Sequence, residues 1–545
     1  MTRSTRGLKL KNDRTDRHFR DTVANQVRTS LSSLKAANDR RKDLVQFQTG
    51  FYEQSLATAK DLPQTAYLLT GTSSRTAAAA LLLSRHQIRS FRPDGQVLVD
   101  GQRFLPQEIL VIPTEQPEFV FLKSMMEPLQ DFRENIFYDV STWHVPSAFD
   151  LTMHRCESDL PESWLAAPGL TRNEPDLSLP DFETAAGLVF SPTELAAPSL
   201  ATALQQASAH LRVATESFFN PGESGLEVWP LGSYVLLKQP NEKRWKNLAS
   251  QAWRQAKQRG ISVAIIASSM TPKGPDMGSG SLLALPTAKP LLLVGQGTRS
   301  YSAGALWHHL DTRLKLPATL VDDQRLGNVK LDEFTCVIMP EGSYSSWSEA
   351  EIQQLKDYLR SGGTLIAVAS AIRRLQQSEL LPREEEPEVN ASSTSQSEVR
   401  PFGNARQDRA LESIAGAFLS AKMDATHPLA YGFPDDRVPL FRDHSMRFAK
   451  PSNSYGLVAS YQSVIAGYVS KRNRQRLQSS AAVWAENVGS GRIICLADNP
   501  VFRGYVRSSE RFLTNAILLG PVVQIPSSPT EEQASSEGHG HGHNH

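Results

Sequence analysis

Cysteine is scarce in this sequence. Three are present among 545 residues, Cys156, Cys336 and Cys495, with no CxxC pair and no Cys/His cluster. That excludes a disulfide framework and a thiolate-built structural zinc site. An excess of one charge is also lacking: 58 Lys plus Arg face 57 Asp plus Glu. No overall field favours nucleic acid or an anionic membrane, so neither is expected as a partner. No run of about 18 apolar residues is present, so no membrane span is expected. The opening stretch MTRSTRGLKLKNDRTDRHFRD has no apolar h-region, and the chain as written is expected in the cytoplasm.

What is there suits buried cores. The chain is 40% hydrophobic and 21% charged, enough for two to four domains. Residues 1–62 carry Phe19, Val23, Val27, Leu31, Leu34, Leu44, Phe47 and Phe51 at three- to four-residue spacing among polar residues, which predicts one long amphipathic helix or a helical hairpin. Its apolar face is expected either to pack on the next domain or to bind a partner. Residues 63–285 read as a mixed α/β region: strands such as AYLLTG and AAGLVF alternate with helices such as SRTAAAALLLSRHQI and NEKRWKNLASQAWRQAKQRG. The second of these helices places Trp245, Leu248, Ala252, Trp253 and Ala256 on one face, and Gly260 is placed to cap it. QVLVDGQRFLPQEILVIP reads as two short strands around a turn, and a Pro- and acid-rich stretch near 156–182 as a linker.

Residues 286–525 alternate strand and helix with the lengths of parallel crossovers: PLLLVG, SAGALWHHLDTRL, ATLVDD, FTCVIMPEG, WSEAEIQQLKDYLRSGG, TLIAVAS. A mostly parallel sheet is predicted, interrupted near 376–406 by a polar insertion expected to be disordered. A low-complexity tail, 526–545, closes the chain.

Chemistry-bearing motifs are incomplete. LLLVGQGTRSYSAGALWHHLD leaves a strand through Gly295 and Gly297 and enters a helix, with Asp322 and Asp323 after the next strand, as in a dinucleotide site. The third glycine of GxGxxG is Ser300. Two readings stand: a structural turn, or an anion or nucleotide site formed by Gly295, Gly297, Ser300, Ser302 and Gly304 at a helix N-terminus. Ser370, after strand TLIAVAS, occupies the place of a nucleophile but lacks the flanking glycines of G-x-S-x-G, without which the sharp turn is not expected. His154 and Glu157 form an isolated HxxE ahead of a polar loop. His308, His309 and His427 read as structural. In the tail, His539, His541, His543 and His545 could chelate Ni, Cu or Zn loosely, or do nothing. No cofactor is expected in this chain.

Six segments in series, NIFYDVSTWHVPSAFDL, GSYVLL with the following LASQAWRQAKQRGISVAIIASSMTPKGPDMGSGSL, PLLLVGQGTRSYSAGALWHHLD, RSGGTLIAVAS, DATHPLAYGFP and LADNPVFRGYVRSSERFLTNAILLGP, resemble the C-terminal region of bacterial M14 zinc carboxypeptidase-like proteins. The resemblance runs from about Arg20 to Pro521. It implies a connecting helix, an α/β region and a flavodoxin-like, class I glutamine amidotransferase-like open parallel sheet. In that family the zinc ligands and the catalytic Glu belong to a preceding domain, so none of them is expected here. The amidotransferase-like part departs from an active enzyme by carrying Ala369, Ser370 and Ala371 where a Cys nucleophile belongs. The implied function is a non-catalytic accessory or scaffold region that binds peptide or glycan, partners a peptidase domain, or self-associates through Phe19, Val23, Val27 and Leu31. The alternatives are a hydrolase or amidotransferase acting through the third domain, or a nucleotide-binding module.

Overall fold

The computed structural model describes residues 9–10, 17–171, 175–222, 225–383 and 401–527. A short pairing of β1 (Lys9–Leu10) with β2 (Arg17–His18) precedes α1 (Phe19–Asp39) and α2 (Arg41–Lys60). Only Arg40 separates the two helices, and Leu44 N–H still donates to its carbonyl at 3.0 Å, so this is one long helix with a single irregular residue. The core packing anticipated for its apolar face is not found. No α1 residue is buried, and Phe19, Val23, Val27, Leu31, Leu34, Leu44, Phe47 and Phe51 are exposed. Only the end of α2 docks: Ala59 is buried and Ser55 Oγ accepts from Val120 N–H at 3.2 Å.

The first sheet has the order β8-β3-β7-β4-β9 and is antiparallel throughout. Its strands are β3 (Ala66–Thr70), β4 (Phe91–Arg92), β7 (Ile109–Pro113), β8 (Thr152–Cys156) and β9 (Ala167–Pro168). The helix α3 (Ser73–Arg85) follows β3. The stretch expected to hold two strands holds three: β5 (Val97–Val99) and β6 (Gln102–Phe104) make a hairpin ahead of β7. Asp100 and Gly101 both have positive φ, as an Asp-Gly hairpin turn requires. The linker region contributes β9 to this sheet.

A second antiparallel sheet runs β15-β10-β14-β11-β16. It is built from β10 (Gly187–Phe190), β11 (Leu211–Ala214), β14 (Tyr234–Leu237), β15 (Val263–Ile266) and β16 (Leu282–Leu285). Across it lies the helix Trp245–Arg259, which buries Trp245, Leu248, Ala249, Ala252 and Ala256 and ends on Gly260 at φ 69°. The hairpin β12 (Phe218–Gly222) and β13 (Gly225–Trp229) is an element that the sequence pattern did not announce. Four consecutive residues of β13, Gly225 to Val228, are exposed, so the strand shows no alternation of buried and exposed positions.

The third sheet is mixed rather than parallel. Its strands are β17 (Pro290–Val294), β18 (Thr319–Asp322), β19 (Cys336–Met339), β20 (Thr364–Val368), β21 (Ala417–Met423), β22 (Arg437–Arg442), β23 (Leu457–Ala466), β24 (Ala481–Val488) and β25 (Gly491–Leu496). The order is β18-β17-β19-β20-β25-β24-β23-β21-β22. Pairing is parallel from β18 through β25 and antiparallel beyond. The inner parallel strands are apolar runs covered on both faces, with Leu291, Leu292 and Leu293 wholly buried, whereas the edge strand β18 is largely exposed. The insertion expected near 376–406 is ordered at both ends: Gln376 and Gln377 finish the helix Ser370–Gln377, and Ala405–Leu411 is helical. Its middle, 384–400, lies outside the described residues. One hydrophobic core joins the second and third units, and another joins the first sheet to Phe418, Phe441, Phe502 and Val506.

Candidate functional site

The five parallel strands lie in the order second, first, third, fourth, last, so the winding reverses between β17 and β19. In open α/β sheets ligands gather at such a reversal, beyond the carboxyl ends of the strands. The loop carrying Gly295 to Ser300 leaves β17 at this place, and the loop from Pro340 to Trp347 leaves β19.

Here the crevice is stitched shut. Thr298 bridges Gly342, Arg299 N–H donates to the Glu341 carbonyl at 2.7 Å, and Ser343 N–H donates to the Gly297 carbonyl at 2.9 Å. The carboxylate of fully buried Asp323 accepts from Gly297 N–H at 3.0 Å. A Cβ at Gly297 would run into that carboxylate, and one at Gly295 (φ 117°) into Asp322 and Asp323. The acid expected to meet a ribose therefore plugs the glycine loop from within. Asp322 caps its own turn by accepting from Gln324 N–H at 3.0 Å. Ser302 Oγ accepts from Glu341 N–H at 3.2 Å, Gly304 stands in open space, and Ser300 is exposed. These five residues form no common anion pocket.

The sharp turn after β20 is present despite the missing glycines. Ala369 adopts φ 49°, ψ −116°, a conformation L-residues hold only when the surroundings enforce it. The strained position, where a nucleophile elbow would present its reactive atom, thus bears a methyl group, and Ala369 is 1% exposed. Ser370 lies one residue further. Its Oγ accepts from Gly342 N–H and donates to the Gly342 carbonyl, each at 3.0 Å. That hydroxyl ties two loops together and faces no base. The thiols fare no better: burial pushes Cys336 up to about 12 and Cys495 well above its ordinary value.

Polar groups that the sequence did not flag converge nearby. Buried Arg442 donates through Nη1 to Asp498 Oδ1 at 2.9 Å and Tyr461 Oη at 2.8 Å, and through Nε to the His444 carbonyl at 3.0 Å. Tyr461 Oη donates in turn to Asp498. His444 Nε2 lies 3.0 Å from the Ala497 carbonyl and 3.3 Å from Asp498 Oδ1. Burial alone would raise Asp498, but Arg442 and His444 hold it below the usual carboxylate range. Glu341, 3.1 Å from Arg299, is raised by burial, with Arg299 opposing and Asp443 and Asp498 adding to the rise. Glu341 follows β19 with only Pro340 between, an acid at a strand's carboxyl end, which is the signal that could have flagged it. Arg442 and Asp498 are 56 residues apart and gave none. The cluster holds charge and can bind or orient a polar group; it contains no activated nucleophile.

The HxxE separates. His154 lies in β8 with Nδ1 2.7 Å from Asp100 Oδ2 and Nε2 3.1 Å from Thr70 Oγ1, whereas Glu157 is exposed. Acid, imidazole and hydroxyl stand in relay order. The acid is 79% exposed, and the neighbouring Gly71 N–H is already donated to the Glu108 carbonyl, so neither a shielded orienting acid nor that oxyanion donor is in place. His309 lies 2.9 Å from Thr514 Oγ1, and His427 Nδ1 accepts from Leu429 N–H at 3.1 Å. Among the described residues, no group of three or more His, Cys, Asp or Glu could hold a metal. The tail histidines His539, His541, His543 and His545 lie outside the described residues. No helix among the described residues is long and apolar enough to cross a membrane.

No protein-family model matches the chain, and no curated protein matches it. Among solved structures, a ThuA-like protein from Parabacteroides merdae is similar at 12% identity and a TM-score of 0.30, over 45% of this chain and 93% of that one. A cytoplasmic protein from Salmonella typhimurium is similar at 10% identity and 0.26, over 42% and 97%. A Rahnella β-galactosidase is similar at 12% and 0.21, over 42% and 31%. At scores this low no property of those proteins transfers, and what the comparisons leave standing is a chain that mixes helices with several sheets.

Proposed function

We propose that this chain is a non-catalytic accessory unit of an M14 zinc carboxypeptidase-like protein, whose third unit is a flavodoxin-like, class I glutamine amidotransferase-like domain without a nucleophile. The single observation behind the loss of catalysis is Ala369: the strained elbow persists while its reactive side chain is a buried methyl. Strain of this kind costs on the order of 1–3 kcal/mol, and here it positions no reactive atom. In this reading the unit supports a peptidase domain or binds peptide or glycan, and zinc belongs to the partner domain.

The test is an activity panel on the full chain. Peptides with free C-termini, amides and esters are expected to remain intact, with and without added zinc. Chelator-sensitive release of C-terminal residues would overturn the proposal. So would ester or amide turnover that disappears in Ser370→Ala.

A further inference from the structure

The long helix is buried only where Ser55 and Ala59 meet the helix Phe119–Met126. Counting from these two toward the N-terminus by alternate threes and fours reaches the exposed residues Tyr52, Val45, Leu34, Leu31 and Val27. That is the heptad spacing of a helix that pairs with another helix. The hydrogen-bond ladder carries this phase through Arg40, whose N–H donates to the Ala36 carbonyl and whose carbonyl accepts from Leu44 N–H, each at 3.0 Å. Val23, Leu44 and Phe51 flank the seam on one side. Eight of the ten large apolar side chains exposed on α1 and α2 therefore belong to one face, with Phe19 and Phe47 outside it. The face that docks in the last turns of α2 thus continues, uncovered, through the rest of the helix.

The order of residues along the seam selects the partner. A two-fold axis beside Asp39 and Arg40 sets Val27 against Tyr52 of a second copy and Leu34 against Val45. The polar seam residues Asn38 and Arg41 then meet each other, amide oxygen to guanidinium, and Leu31 beside Gln48 is a mixed layer. A contact between identical chains must be self-complementary in this way. Parallel pairing would set Arg41 on Arg41, a like-charge contact inside the seam. Lys35, which flanks the seam opposite Lys42 of the other copy, is already paired with Asp39 at 2.5 Å. The area agrees: eight side chains at on the order of 100 Å² each give roughly 800 Å² per copy, one partner's share of a standard interface.

We infer that the partner of this face is a second copy of the chain, paired antiparallel through Val27, Leu34, Val45 and Tyr52. The inference goes beyond the function proposed above and does not draw on Ala369. Light scattering and cysteine cross-linking on the full chain test it, and the three native cysteines are buried and should stay unlinked. A mass twice that of the chain is expected. Under mild oxidation the double variant Leu34→Cys, Val45→Cys should join two chains, because those positions share a layer. Leu34→Cys alone should not, because the two copies of position 34 stand roughly 16 Å apart along the helix axis, beyond disulfide reach. Both positions are exposed, so neither substitution threatens folding. Cross-linking by Leu34→Cys alone would mean a parallel pair. A dimer that neither variant links would place the contact elsewhere, and a monomeric mass at every concentration would leave no second copy. Each of these three results overturns the inference, and none touches the activity panel, so the two proposals fail separately.

Discussion

Gly297 and Gly304 belong to one motif yet meet opposite surroundings. A methyl at position 297 collides with the Asp323 carboxylate, while position 304 faces open space inside a helix. Gly297→Ala is therefore expected to destabilise by roughly 1–3 kcal/mol, as overpacking does. Gly304→Ala should stabilise by about 0.5–1 kcal/mol through the unfolded chain's lost freedom. Urea midpoints of the two variants decide the matter, and equal signs would refute the plugged loop. Titration with ATP, NAD or a flavin at millimolar concentration should evolve no binding heat, because the Gly297 N–H is already occupied. None of this was legible from GQG alone, since Asp323 lies 26 residues from Gly297 and its direction is set by the turn that follows β18.

At the scale of elements, periodicity did well where one chain segment carried the whole signal. The helix Trp245–Arg259 buries Trp245, Leu248, Ala252 and Ala256 of the face its spacing marks, with Trp253 half-buried at its edge, and Gly260 caps it in the left-handed region. Periodicity was silent on partners. The spacing of Phe19, Val23, Val27 and Leu31 predicts a covered stripe, and the structure leaves that stripe exposed. Large apolar side chains aligned on one exposed face mark an interaction surface. The full chain is expected to elute larger with increasing concentration. Val27→Glu should shift it toward monomer without loss of helical circular dichroism, and a monomeric profile that Val27→Glu leaves unchanged would count against self-association. Pairing direction was equally out of reach in the first two units, where helices alternate with strands that nevertheless pair antiparallel.

For the whole molecule, three buried histidines link stability to pH. Burial lowers His144, His309 and His427 to about 4 from an ordinary 6.5; Glu127, Glu510 and Asp424 respectively pull the other way, and Arg507 and Arg313 reinforce the lowering at His309. Each is neutral when folded and gains a proton on unfolding between those values. The unfolded chain then binds more protons, so stability rises with pH across this window and is lost as pH falls from about 6.5 to 4. Each contributes on the order of 3 kcal/mol. Urea unfolding at pH 7 and pH 5 should show the lower midpoint at pH 5, and a flat profile would contradict burial of these rings as neutral groups.

By itself the sequence determined the apolar strand runs and amphipathic helices, the near-neutral charge, and the lack of any run able to span a membrane. These follow from local pattern and composition, which act over a few residues or are simply sums. Only the tertiary structure decided that Asp323 fills the glycine loop, that the elbow falls on Ala369, and that Arg442 meets Asp498. Each joins residues brought together by sheet order and crossover, or a backbone angle enforced by the packing around it, and no local period encodes either.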